Sequence, residues 1–128
     1  MKKLFGVYIA TLFIFFTGNA YQNLSPREFY KEIQTKKDVL LIDVRTPMEY
    51  KEDGHIKGSK LIPIQVFAKF LPNLESYKDK EILVYCRSGS RSSVVSKFLD
   101  KMGFKKVYNL KGGIIRWKNS KLPVEYGK

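Results

Sequence analysis

The 128-residue chain has one cysteine, one histidine and one tryptophan, and its 24 lysines and arginines outnumber 12 acidic residues two to one. A single cysteine excludes an intrachain disulfide framework and any multi-cysteine zinc site. A single histidine leaves His55 as the only candidate for a cysteine–histidine dyad. There is no internal repeat, low-complexity tract or linker, and the length is too short for two separate cores. Apolar residues are not scarce: 44% hydrophobic and 14% aromatic content argue against a disordered chain. The formal net charge of +12 leaves nucleic acid, an anionic surface and a small anionic substrate open, and says nothing about fold.

The first charges are Lys2 and Lys3, and the next is Arg27. Leu4 to Phe16 follows the lysines, apolar but for Thr11, and then Thr17-Gly18-Asn19-Ala20. A basic start, an apolar stretch and small residues before a cut are the pattern of a secretory signal peptide, here cleaved before Tyr21. Residues 1–20 are thus expected to be a signal peptide and 21–128 a single exported domain, in a bacterial periplasm. The alternative is an uncleaved anchor that holds the domain on the periplasmic face of the membrane. The 17 residues from 4 to 20 are at the short edge of what spans a bilayer core. Oxidising compartments use cysteines in pairs. A lone Cys86 in an exported protein is therefore buried and inert, partnered with another chain, or chemically employed.

Along the exported part, Ser25-Pro26-Arg27-Glu28 and Thr46-Pro47-Met48-Glu49 are capping boxes with proline at the first helical position. Val39–Val44, Lys60–Ile64, Glu81–Tyr85 and Lys106–Leu110 read as strands, the first and third apolar enough to be covered on both faces. Gln65–Tyr77 has helical spacing with a break near Pro72. Arg91–Met102 reads as a helix with Val94, Val95, Phe98, Leu99 and Met102 inward and Gly103 as its stop. A last helix follows Gly112-Gly113 and carries Ile114, Ile115 and Trp117, and the tail beyond is expected to be irregular. The alternation predicts one α/β domain: a mostly parallel central sheet of about five strands with helices on both faces.

Cys86-Arg87-Ser88-Gly89-Ser90-Arg91 joins a strand to a helix, and ligand sites in open α/β sheets lie at that end of the strands. Small residues and Gly89 let successive N–H groups turn inward as an anion cradle. The next helix points its positive end at the same place, and Arg87 and Arg91 add full charges. Each factor favours a thiolate, so Cys86 is the expected nucleophile. The competing reading is a small buried hydrophobe, as most free cysteines are.

Several motifs in order resemble the rhodanese family of sulfurtransferases: Ile42-Asp43-Val44-Arg45; Glu49-Tyr50 with Gly54-His55-Ile56-Lys57-Gly58-Ser59 and Ile62-Pro63; Cys86 to Arg91; and Leu110-Lys111-Gly112-Gly113 with Trp117. Ser59 stands where alanine is usual. The resemblance spans roughly residues 23–124. It implies a rhodanese-like domain without metal or organic cofactor, in which Cys86 takes sulfane sulfur from a small anionic donor such as thiosulfate. The acceptor is a thiol, a thioredoxin-like protein among the candidates, or cyanide in an assay. Arg87, Ser88, Gly89, Ser90 and Arg91 are the expected substrate-binding residues, through their N–H groups and the guanidinium groups of the two arginines. One of the two arginines could brace the loop instead. Asp43 with Arg45, and Gly112 with Gly113, are expected to support the site, and His55 and Trp117 to be structural.

Three rivals are set beside that reading. Cysteine phosphatases separate cysteine and arginine by five residues, whereas four lie between Cys86 and Arg91, a tighter loop. A non-catalytic binding module would not need Cys86. A sulfur carrier that hands its sulfur to a partner protein differs only in partner. Nucleic acid is disfavoured by the export pattern and the absence of a nucleic-acid motif. The charge is also unevenly placed: residues 87–128 hold eleven basic and two acidic residues, so the half that opens with the loop carries the excess.

Overall fold

The computed structural model describes residues 20–128; the proposed signal segment lies outside the described residues but for Ala20. Strands β1 (Gln22–Leu24), β2 (Leu40–Asp43), β3 (Lys60–Leu61), β4 (Glu81–Tyr85) and β5 (Lys106–Leu110) form one sheet in the order β1-β5-β4-β2-β3. Every pairing is parallel, with Asp43 beside Tyr85 and Val84 beside Asn109. Parallel neighbours need crossovers, and helices supply them: α1 (Pro26–Thr35), α2 (Pro47–Glu52), α3 (Phe67–Phe70), α4 (Ser90–Lys101) and α5 (Gly113–Asn119). Among the described residues no helix is long and apolar enough to cross a membrane.

Strand alternation divides the core in two. Leu40, Ile42, Ile82 and Val84 face α3 and α4, where Phe67, Val95 and Leu99 meet them. Leu41, Leu83 and Tyr85 face α1 and α5, where Phe29, Ile114 and Trp117 pack. Cys86 continues the even-numbered side of β4, so its sulfur falls on the α4 face of the sheet.

Both capping boxes form, with Ser25 and Thr46 accepting from the N–H of Glu28 and Glu49. Strands β2 and β3 are shorter than the sequence predicts. The 65–77 segment is not one kinked helix. It is a 3-10 turn (Ile64–Val66), α3, and a second 3-10 stretch (Leu71–Tyr77) that contains Pro72. Strand β1 was not located from sequence. Val94 and Met102, expected to face inward, are 60% and 44% exposed. The buried stripe of α4 is Ser92, Val95, Ser96 and Leu99. Two serines hold inward positions because that helix lies close against the sheet and the cysteine loop, where small side chains fit. The tail is irregular as expected, yet it returns: Glu125 forms an antiparallel bridge with His55, and Trp117 donates through Nε1 to the Pro123 carbonyl.

Candidate active site

The loop from Cys86 to Gly89 runs between β4 and the first turn of α4. Gly89 has φ +106°, a left-handed conformation that reverses the chain there. Cys86 is 1% exposed. Its Sγ accepts from the N–H of Gly89 at 3.1 Å, and from the N–H and Oγ of Ser92, each at 3.3 Å. Three donors converging on one sulfur atom stabilise negative charge there.

The loop carbonyls are drawn the other way. Ile114 N–H donates to the Cys86 carbonyl at 2.9 Å, and Ile115 N–H to the Arg87 carbonyl at 3.2 Å. With those oxygens held by the start of α5, the N–H groups of Arg87, Ser88, Ser90 and Arg91 find no acceptor among the described residues. Free N–H groups gathered on one loop can hold an anion. Gly113 makes this docking feasible: a Cβ there would overlap the Arg87 carbonyl and the Ser88 nitrogen. Gly112 precedes it at φ +80°, opposite Gly89.

The two arginines have different surroundings. Arg87 is exposed and has no ion-pair partner among the described residues. Arg91 is a brace: Nη1 and Nη2 donate to Glu49 Oε1 and Oε2, each at 2.9 Å. The same carboxylate closes the capping box of α2, accepting from Thr46 N–H at 3.0 Å. Glu49 thus ties α2 to the first turn of α4, and the Arg91 bond holds its carboxyl well down, to about 2. Sequence reasoning found Glu49 as a cap and missed its partner 42 residues away. It also missed Ser92, two of whose groups touch Sγ.

Replacing Glu49 with glutamine should lower stability by about 1–2 kcal/mol, since a forked charged bond becomes a neutral one. The sign with pH follows from the lowered carboxyl. Its stabilisation is fully present above about pH 4.5 and is lost as pH falls toward 2. The melting-temperature gap between the protein and Glu49→Gln should therefore be constant above pH 5 and close between 4.5 and 2. A gap that persists unchanged to pH 2 would remove the pair as its cause.

Behind the loop, Asp43 and Arg45 are fully buried. Arg45 Nη2 donates to Asp43 Oδ2 at 2.7 Å and to the Gly54 carbonyl at 2.8 Å, while Arg45 N–H donates to Oδ1 at 3.0 Å. Tyr85 Oη accepts from Ile56 N–H at 3.0 Å and lies 3.0 Å from Ser59 Oγ. Burial raises the Tyr85 hydroxyl, so it stays a neutral anchor. His55 stacks on Tyr50 with ring centres 3.7 Å apart, and its Nδ1 lies 2.9 Å from the Tyr50 carbonyl. It makes no hydrogen bond to Cys86, whose sulfur is held by Gly89 and Ser92.

This order of motifs on this sheet is matched by one family model, the rhodanese-like domain, over residues 25–120. The chain belongs to the rhodanese-like domain family. A sulfurtransferase of Allochromatium vinosum is 38% identical over 88 residues, covering 69% of this chain and 79% of that protein. A tRNA uridine(34) hydroxylase of Acinetobacter baumannii is 38% identical over 106 residues, but this chain spans only 33% of its length. The solution structure of a polysulfide-sulfur transferase homodimer from Wolinella succinogenes superposes with a TM-score of 0.72 at 29% identity, covering 98% of this chain and 92% of that one. This chain thus spans most of the length of both transferases, and only a third of the hydroxylase.

Proposed function

We propose that the protein is an exported sulfurtransferase that moves sulfane sulfur from thiosulfate to a thiophilic acceptor through a persulfide on Cys86. The observation that carries this reading is the Cys86 sulfur seated under three donors, inside a loop whose remaining N–H groups are free. In the first step the thiolate attacks the outer sulfur of thiosulfate. An S–S bond forms to Sγ, the S–S bond of thiosulfate breaks, and sulfite leaves with the electron pair. The negative charge then sits on the terminal sulfur, within reach of the loop donors. Exposed Arg87 is the group for the sulfonate oxygens of the donor, and Arg91 keeps the loop in place from its bond to Glu49. In the second step the acceptor takes the terminal sulfur and Cys86 leaves as thiolate. Electrons balance with no added oxidant or reductant.

Export is supported by Lys2, Lys3 and the apolar stretch to Phe16. A second reading keeps the same chemistry with polysulfide as donor and a partner protein as acceptor. It is favoured by the Wolinella structure, which covers nearly the whole chain. Intact mass spectrometry after treatment with thiosulfate, and separately with polysulfide, tests both. Thiosulfate should add one sulfur, about 32 Da, to a chain that begins at Tyr21. Addition from polysulfide alone would favour the second reading, and no addition from either donor would overturn both.

A further inference from the structure

We infer that the face around the Cys86 loop is built to receive a protein-borne thiol whose cysteine is set among apolar residues with an acidic rim. The inference rests on the sulfur-transfer reading above and names the kind of acceptor. Because β4 lies between β2 and β5, the segments that follow those two strands stand on either side of the loop. Each presents a bare apolar side chain: Met48 in α2 is 67% exposed and Ile115 in α5 is 37% exposed. Neither joins a core cluster. Both are fastened to the loop. Met48 precedes the Glu49 that grips Arg91, and the Ile115 N–H holds the Arg87 carbonyl.

The rim is cationic. Arg87, Lys111 and Arg116 are exposed and form no ion pair among the described residues. The Arg116 side chain lies over Gly112, which faces Gly89 across the loop. Of the acids on this side, Glu49 is committed to Arg91 and Asp43 to Arg45, while exposed Glu52 and Asp53 close α2 where Lys118 reaches the Asp53 carbonyl. In residues 87–128 the acids are Asp100, near the far end of α4 and about 15 Å from its start, and Glu125 beside His55. Cyanide needs none of these features. Bare apolar side chains ringed by unpaired cations gain from a partner large enough to cover them and opposite in charge. With Cys86 covered, the acceptor sulfur has to be carried to the loop, as a protruding cysteine on a complementary surface would be. There the acceptor sulfur bonds the terminal sulfur, the bond to Sγ breaks, and Cys86 keeps the electron pair as thiolate. The acceptor's thiol proton stays on the new persulfide.

The test loads the full chain from thiosulfate or polysulfide, removes the donor, and follows single-turnover loss of the persulfide. Three acceptors are used: cyanide, a short peptide with its cysteine between leucines and glutamates, and the same peptide with lysines for glutamates. The glutamate peptide should react about tenfold faster than the lysine peptide. Arg116→Glu should erase that preference, and Met48→Ser should slow the peptides. Cyanide rates in both variants should stay within about twofold of the unaltered chain. Equal rates for the two peptides overturn the proposal, as do cyanide rates that fall in step with the peptide rates. A chain that loads no sulfur overturns the sulfur-transfer reading, and this proposal with it.

Discussion

Cys86→Ser should lose at least about 1,000-fold in sulfur release from thiosulfate to cyanide while keeping its fold. The hydroxyl fits the space of the thiol, and the Gly89 and Ser92 donors that meet Sγ can meet Oγ. What it cannot do is hold sulfane sulfur, because the intermediate needs an S–S bond at that position. The melting temperature should therefore stay close to that of the parent, which separates lost chemistry from lost structure. The same pair of proteins decides against the nearest enzymatic rival. Four residues separate Cys86 from Arg91, and Arg91 is turned toward Glu49, so an aryl phosphate should not be turned over. Phosphate release that disappears in Cys86→Ser would sink the sulfur-transfer reading, and undiminished thiocyanate release in that variant would remove Cys86 from the mechanism.

What could be read from the sequence is what local rules govern. The strands at 81–85 and 106–110, both capping boxes, and the loop at Cys86 are written in consecutive residues, and each stands where the pattern placed it. Strand β1 is three residues with no period to detect; only its pairing with β5 makes it a strand. In α4 apolar character does not mark burial, since Val94 and Met102 are exposed. Ser92 and Ser96 are buried instead, one of them because its hydroxyl and N–H meet the sulfur. The Glu49–Arg91 fork spans 42 residues and is invisible until α2 and α4 are brought to one sheet edge. The capping box gave Glu49 a sufficient local reason to exist, which hid the distant one. The arginines Arg87 and Arg91 have equal standing in the sequence, and only this contact marks Arg91 as the brace.

Asp43→Ala should cost about 3–5 kcal/mol, a large share of the stability of a domain this size. Among the described residues the Asp43 carboxylate is the one that pairs directly with Arg45, and both side chains are fully buried. Arg45 Nη1 already lacks a hydrogen-bond partner, so loss of Asp43 leaves a buried cation with little beyond the Gly54 carbonyl. The penalty is the charge left behind rather than the bond removed. The double variant Asp43→Leu with Arg45→Met should consequently be more stable than Asp43→Ala, although it has lost more polar contacts. The effect should reach the reactive sulfur. Val44 N–H donates to the Tyr85 carbonyl at 3.1 Å, and Tyr85 immediately precedes Cys86. Urea unfolding of the three proteins, with persulfide loading measured below the transition, reads both effects. If Asp43→Ala matches the parent within about 1 kcal/mol, Arg45 has found another countercharge or water, and the ion pair does not hold this end of the sheet.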